Sequence, residues 1–144
     1  MPDRTVIKIS PGNAKLGDVP SFSLIPGKTC GPACTHCPKS CYDRRLLALR
    51  PTLADTRQFN TDIAKDNPDE LEAQLLTWFH HQGYMRPRLF RIHIGGDFFS
   101  QDYFELWLRV IRAFPDVRFL AYSKAWGIIK PANLPDNFSL LFSI

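Results

Sequence analysis

The stretch Leu89-Phe-Arg-Ile-His-Ile94, followed by Gly95-Gly96-Asp97, decides how this sequence folds. A short run of apolar and β-branched residues that ends at two glycines is typical of a buried strand that stops in a turn. Ser100 can cap a following helix, in which apolar residues recur at helical spacing over residues 104–114. A second strand-like run, Val117–Tyr122, comes next. This segment therefore predicts the order strand, helix, strand.

The same alternation extends in both directions along the chain. Phe22–Ile25 and Phe138–Ile144 are predicted strands, Val6–Ile9 is a predicted edge strand or ordered arm, and a helix is expected to start at Asn67-Pro68 with Asn67 as its cap. A second helix is expected over residues 54–64. Strands that alternate with helices favour a parallel sheet with right-handed crossovers. We expect an α/β fold, a partial (βα) barrel of about four parallel strands with helices on the outer face, as one domain over residues 1–144.

Composition and charge limit the classes of function. Hydrophobic residues make up 44% of the 144 residues, but charged residues interrupt every long apolar run, so no membrane partner is expected. The start Met-Pro-Asp-Arg has no secretory signal, which predicts a cytoplasmic protein. The net charge of +4 allows a nucleic-acid partner without requiring one. An apolar final strand with an open edge invites pairing, so a homodimer is also expected.

All four cysteines fall between Cys30 and Cys41, in a stretch that also contains glycine and prolines. Clustered cysteines in a loop predict a metal site, because core cysteines would be scattered among strands and helices. The short gaps favour an iron–sulfur cluster, whereas structural zinc usually takes two ligand pairs that a longer span separates. Disulfides rank last for a cytoplasmic chain. The expected metal ligands are Cys30, Cys34, Cys37 and Cys41.

Three distinctive groups follow predicted strands: the cysteine loop, Gly95-Gly96-Asp97 and Ser123-Lys124. The carboxyl ends of parallel strands lie at one edge of a sheet, so these groups are expected to meet there. The glycines lack a Cβ and let a ligand approach the backbone, while Asp97 offers a carboxylate to an ammonium group. His93, inside the second main strand, is expected to be a core histidine with a hydrogen-bond partner.

Cys30, Cys34 and Cys37 form a C-x3-C-x2-C pattern that resembles the radical S-adenosylmethionine superfamily. The resemblance implies that these thiolates hold a 4Fe-4S cluster and that Gly95, Gly96 and Asp97 bind the amino group of S-adenosylmethionine. For Ser123 and Lys124 two roles stay open: contact with the ribose or carboxylate of that cosubstrate, as cofactor-binding residues, or exposed loop residues with no such contact. An external donor would reduce the cluster, and a 5′-deoxyadenosyl radical would then act on an unknown substrate. The wide mouth of a partial barrel would favour a macromolecular substrate such as RNA, peptide or protein.

The chain also resembles a group of uncharacterised phage and plasmid proteins. This resemblance implies that Cys41 and Tyr42 belong to the site, and Tyr42 is therefore a predicted cofactor-binding residue. Two alternatives stay open: a non-catalytic zinc or closed iron–sulfur module with a basic docking surface, and an electron carrier. The motifs that carry the resemblance are Asn13-Ala-Lys-Leu-Gly17, Phe22-Ser-Leu24, Thr29-Cys30, Cys41-Tyr42 and Arg91-Ile-His-Ile-Gly-Gly-Asp-Phe98.

Overall fold

The segment around Asp97 does lie between two neighbouring strands of a parallel sheet. The structure, a computed structural model, describes residues 6–10, 19–24, 51–83, 86–93, 96–125 and 127–142, with the backbone alone for 51–54. In chain order the elements of these residues are β1 (Ser21–Phe22), α1 (Pro51–Asp66), α2 (Pro68–Gln82), β2 (Leu89–Ile92), α3 (Gln101–Ala113), β3 (Arg118–Ser123) and β4 (Phe138–Phe142).

The strands of the described residues pair in the order β1-β2-β3-β4, and every pair is parallel. Phe90 of β2 is in register with Phe119 of β3, which in turn is in register with Phe138 of β4. The expected α/β fold with about four parallel strands and helices outside is confirmed. Two strands end earlier than predicted: β1 stops at Phe22 and β2 at Ile92, whereas β3 continues to Ser123, one residue beyond the predicted Tyr122.

One face of the sheet packs against the helices through aromatic side chains. Successive side chains of a strand point to opposite faces, and residues in register on neighbouring strands point to the same face. Phe90 and Phe119 are in register, so they share a face. Phe79 of α2 lies between them and the end of α3: its ring centroid is 5.0 Å from Phe90, 5.4 Å from Phe119 and 5.0 Å from Phe114. These residues are at most 1% exposed. Trp107 of α3 extends this aromatic core to Phe22 of β1, with centroids 5.6 Å apart.

The observed helix starts agree in part with those predicted from the sequence. Helix α3 begins after Ser100, whose hydroxyl accepts a hydrogen bond from the Tyr103 amide at 3.1 Å, as its position predicted. Helix α2 begins at Pro68, but the side chain of Asn67 makes no capping hydrogen bond, so that part of the prediction is wrong. Helix α1 starts at Pro51 and is longer than the expected 54–64, because proline is well accepted in a first helical turn.

Residues 6–10, here called the N-terminal arm, run across the helices. The Ile7 amide donates to Gln74 Oε1 of α2 at 2.7 Å. The buried side chain of Asn60 in α1 accepts from the Lys8 amide at 3.1 Å, and its amide nitrogen lies 3.1 Å from the Ser23 carbonyl oxygen. The arm thus forms an ordered segment, joined to the sheet by a single antiparallel bridge between Ser10 and Ser21.

We predict that Phe79→Ala lowers the free energy of unfolding by about 3–5 kcal/mol, because it empties the centre of the aromatic core. Urea denaturation followed by circular dichroism measures the change. The control is Leu141→Ala, whose side chain is 49% exposed, with an expected loss below about 1 kcal/mol. Equal losses in the two variants would contradict the placement of Phe79.

Candidate functional site

The predicted site residues fall into two groups. Gly96, Asp97, Ser123 and Lys124 are described, and they lie together at the carboxyl ends of β2 and β3. The predicted assignments of the others lie outside the described residues and stay predictions. These others are Cys30, Cys34, Cys37, Cys41, Tyr42 and Gly95.

The Asp97 carboxylate connects the ends of the two central strands. Oδ1 accepts from Ser123 Oγ and from the Phe98 amide, both at 2.7 Å, and Oδ2 accepts from the Lys124 amide at 2.8 Å. Gly96, with a φ of 81°, makes the turn that directs Asp97 towards β3. We call Asp97, Ser123 and the two amides the Asp97 latch. Because Asp97 is 5% exposed, its oxygens are engaged inside the protein, whereas the sequence predicted that they meet a cosubstrate ammonium group.

Burial and hydrogen bonding act on Asp97 in opposite directions. Burial raises the pKa of the carboxyl above its ordinary 3.8, since an apolar environment disfavours the charged form. The hydrogen bonds from the Lys124 amide, Ser123 and the Phe98 amide lower the pKa, as does the Lys124 charge, but the net shift is upward. The latch therefore places a titratable group at the edge of the sheet.

His93 lies directly after β2 and is 3% exposed. Its amide donates to the Phe22 carbonyl oxygen at 2.7 Å, and its Nε2 is 2.7 Å from the Tyr103 hydroxyl. The expected core histidine with a hydrogen-bond partner is confirmed. The sequence did not identify Tyr103 as the partner, although Tyr103 shares the buried face of α3 with Trp107. His93 also has a φ of 66°, a conformation that costs energy for a residue with a Cβ.

Burial also decides the charge of His93. It lowers the pKa of the imidazole to about 3, so the ring is neutral at physiological pH. Its Nδ1 is buried and has no hydrogen-bond partner among the described residues. Burial raises the pKa of the Tyr103 hydroxyl as well, and the pair is uncharged. A neutral pair of this kind holds the end of β2 in place and does not exchange protons near pH 7.

On the face of the sheet opposite the aromatic core, Arg118, Tyr122 and Leu141 are exposed, whereas Ser21 of β1, in register with Arg91, is 1% exposed. We call this face the open face, and its central residues are Arg91, Arg118 and Tyr122, with Leu141 on the edge strand. Tyr122 is 45% exposed and Leu141 49%. The Arg91 guanidinium lies over the Tyr122 ring, 5.3 Å from its centroid, and Arg118 Nη2 donates to Ser139 Oγ at 3.1 Å. The other open-face positions, by strand alternation, are Leu89, Leu120 and Ser139.

Within the described ranges, the Arg91 guanidinium contacts an aromatic ring and forms no salt bridge with a carboxylate. Its Nε is buried without a hydrogen-bond partner among the described residues, and so is the Oγ of Ser21, its register neighbour on β1. No strand of the described sheet carries an Asp or Glu. The sequence predicts a buried strand over this segment; the position of Arg91 between apolar residues is the sequence signal for a second, polar face.

Comparison with known proteins places the chain in a family. A family model described as Gene product 88 matches residues 5–144. The chain belongs to the Gene product 88 family. It is 34% identical to the Gene 88 protein of Mycobacterium phage D29 over 142 residues, which cover 92% of this chain and 59% of that protein. The Gene 88 protein of Mycobacterium phage L5 matches with the same identity and coverage. The chain thus spans 59% of the length of these relatives.

Membership of the Gene product 88 family confirms the resemblance to uncharacterised phage proteins. No solved structure matches the chain. Across the described ranges, we find no helix with both the length and the apolar character that crossing a bilayer requires.

The expectation of an iron–sulfur radical S-adenosylmethionine enzyme is wrong. The family that matches is Gene product 88, and the relatives are phage Gene 88 proteins. In the described parts of the chain, no group of three or more His, Cys, Asp or Glu side chains is placed to hold a metal ion. The physical reason for the error is that the resemblance depended on a short cysteine spacing together with Gly-Gly-Asp, of which the described residues, Gly96 and Asp97, form a turn and a latch.

The first prediction from the site concerns His93→Asn. Asn tolerates positive φ, so the variant keeps the turn while losing the titratable ring. The pKa of His93 is about 3 in the folded protein, against the ordinary value of 6.5 that applies to the unfolded chain. As the pH falls, the unfolded chain therefore binds a proton at this residue before the folded protein does. The stability of the natural sequence should fall from about pH 6.5 towards pH 3, by at most about 1.4 kcal/mol per pH unit.

Urea denaturation at a series of pH values measures this slope. His93→Asn should show a smaller slope over the same interval, whereas His81→Asn, which removes an exposed histidine of α2, should keep it. An unchanged slope in His93→Asn would contradict the buried neutral imidazole.

The second prediction concerns Ser123→Ala. The variant removes one donor to Asp97, so the free energy of unfolding should fall by about 1–3 kcal/mol. The pKa of Asp97 should rise further, because a hydrogen bond that favours the carboxylate is gone. The stabilisation that protonated Asp97 gives to the fold is complete below the pKa of this carboxyl in the unfolded chain. It is lost as the pH rises through the pKa of the carboxyl in the folded protein. In Ser123→Ala this loss therefore occurs at higher pH.

Carbon-13 NMR titration of the Asp97 carboxyl measures the pKa shift directly. Ser139→Ala, on the open face, is the matched control and should leave the Asp97 pKa where it is in the natural sequence. A downward shift in Ser123→Ala would show that the latch does not exist in solution.

Proposed function

We propose that this chain binds single-stranded nucleic acid across the open face of its sheet. The observation that carries the proposal is the pairing of Arg91 with Tyr122 on a face whose strands carry arginines and no carboxylates. Strand alternation places both side chains on the same surface, and Arg118 extends the positive charge along β3. The surface therefore combines an aromatic ring with cationic groups, as nucleic-acid binding surfaces do.

The charge of the open face favours a polyanion. Arg118 is exposed at the start of β3, and Arg91 lies on the same face of the neighbouring strand β2. Arginine presents a planar set of donors that matches phosphate oxygens. Phosphates bound here would displace counterions, which makes the binding depend on salt concentration.

The ring of Tyr122 favours a single strand over a duplex. A base can stack on an aromatic side chain only when it has left its own stack, as in single-stranded DNA or RNA. The Arg91 guanidinium occupies part of the ring surface, and guanidinium planes stack on bases in the same way. The exposed side chain of Leu141 adds apolar surface on the neighbouring strand.

Fluorescence anisotropy with a labelled oligonucleotide of mixed sequence tests the proposal. Tyr122→Ala should weaken binding by about 1–3 kcal/mol, because one stacked base is lost. Arg118→Ala should reduce the slope of log K against log salt by about 0.7, because one phosphate contact is lost from a single strand. Tyr122→Phe keeps the ring and should retain most of the affinity.

The matched control is Arg112→Ala, which removes an exposed cation of α3 on the helical side of the sheet. It should leave both the affinity and the salt slope unchanged. Absence of binding in low salt, or equal weakening by Arg112→Ala and Arg118→Ala, would overturn the proposal. A dimer that dissociates in Tyr122→Ala, without oligonucleotide binding, would instead identify the open face as a contact between two copies.

A further inference from the structure

A polar cavity lies on the helical side of the molecule, away from the open face. It has a volume of about 390 Å³, within the range of small-molecule sites. One wall is the outer surface of α3, and the other is the connection between β3 and β4. The lining residues are Gln101, Glu105, Leu108, Arg109, Arg112, Lys130, Ala132 and Asn133.

Three cations and one carboxylate line this cavity. Arg109 is neutralised from outside, because its Nε and Nη2 donate to Glu72 Oε1 at 2.9 Å and 2.6 Å. Arg112 and Lys130 have no carboxylate partner among the described residues. The uncompensated charge of the cavity is therefore positive. Glu105 on the same helix adds a carboxylate, one oxygen of which, Oε1, accepts from Gln101 Nε2 at 3.4 Å.

The walls are joined by hydrogen bonds, so the cavity exists before any ligand arrives. Gln101 Oε1 accepts from the Lys130 amide at 2.7 Å. Arg112 Nη2 donates to the Asn133 carbonyl oxygen at 2.9 Å, which fixes the guanidinium between helix and connection while its other donors stay available. Leu108, 5% exposed, gives the cavity an apolar floor. Preorganised charged donors reduce the ordering cost of binding an anion.

We propose that this cavity binds a small phosphorylated molecule that also carries a hydroxyl or ammonium group. Arg112 and Lys130 hold the phosphate oxygens, since guanidinium and ammonium donors make charge-assisted hydrogen bonds to phosphate. Glu105 accepts from the hydroxyl or ammonium group, which an anion without such a donor lacks. The proposal is independent of nucleic-acid binding at the open face, because the two sites share no residue.

Isothermal titration calorimetry with ribose 5-phosphate and with inorganic phosphate tests the site. Lys130→Ala and Arg112→Ala should each weaken ribose 5-phosphate binding by about tenfold to a hundredfold, the effect of losing one charged hydrogen bond. Glu105→Gln should weaken ribose 5-phosphate while leaving inorganic phosphate at least as tightly bound. That difference separates a specific site from general attraction to positive charge.

Arg118→Ala is the matched control and should leave both affinities unchanged, because it lies on the open face. Circular dichroism melting checks that each variant is folded. Failure of both phosphates to bind, or binding that neither Lys130→Ala nor Arg112→Ala weakens, would overturn the proposal. Loss of oligonucleotide binding in these two variants would also overturn it, since the phosphate would then belong to a nucleic acid.

Discussion

Burial of the aromatic core on one side of the sheet is the constraint on which the rest of this structure depends. Phe79, Phe90 and Phe119 remove their rings from water only when α2 and α3 lie against the same face of β2 and β3. Each Phe contributes a few kcal/mol by burial, so this packing fixes the helical layer in one arrangement. The opposite face then presents the alternate residues of each strand, and Arg91 and Tyr122 come to lie side by side.

Much of the fold was predictable because local patterns and tertiary packing agree. The apolar spacing in α3 and the cap at Ser100 require no distant information. The early end of β2 was not predictable, since His93 leaves the strand through a positive φ that glycine, and not histidine, usually signals. The hydrogen bond between His93 and Tyr103 belongs to tertiary packing, and no periodicity reveals it.

The meeting of Asp97 and Ser123 was predictable from the sequence, whereas the hydrogen bonds that Asp97 makes were not. Parallel topology brings Asp97 and Ser123 to one edge, as the sequence indicated. Whether a carboxylate at that edge faces a ligand or a neighbouring strand depends on the donors around it. Two amides and a hydroxyl donate hydrogen bonds to the buried Asp97 carboxylate, so this residue joins the ends of β2 and β3. A motif of three residues does not contain that information.

The N-terminal arm has a consequence for how the chain folds as it is synthesised. The Ile7 amide donates to the side chain of Gln74, which lies 67 positions later, and β1 can pair with β2 only after β2 has been synthesised. At about 5–20 residues per second, translation takes roughly 3–13 s to produce these partners. During that time Phe22 and Leu24, fully buried in the finished protein, stay in contact with solvent. During synthesis the segment around Phe22 therefore exposes apolar side chains that favour aggregation, and a chaperone that binds it for those seconds would raise the yield of folded protein.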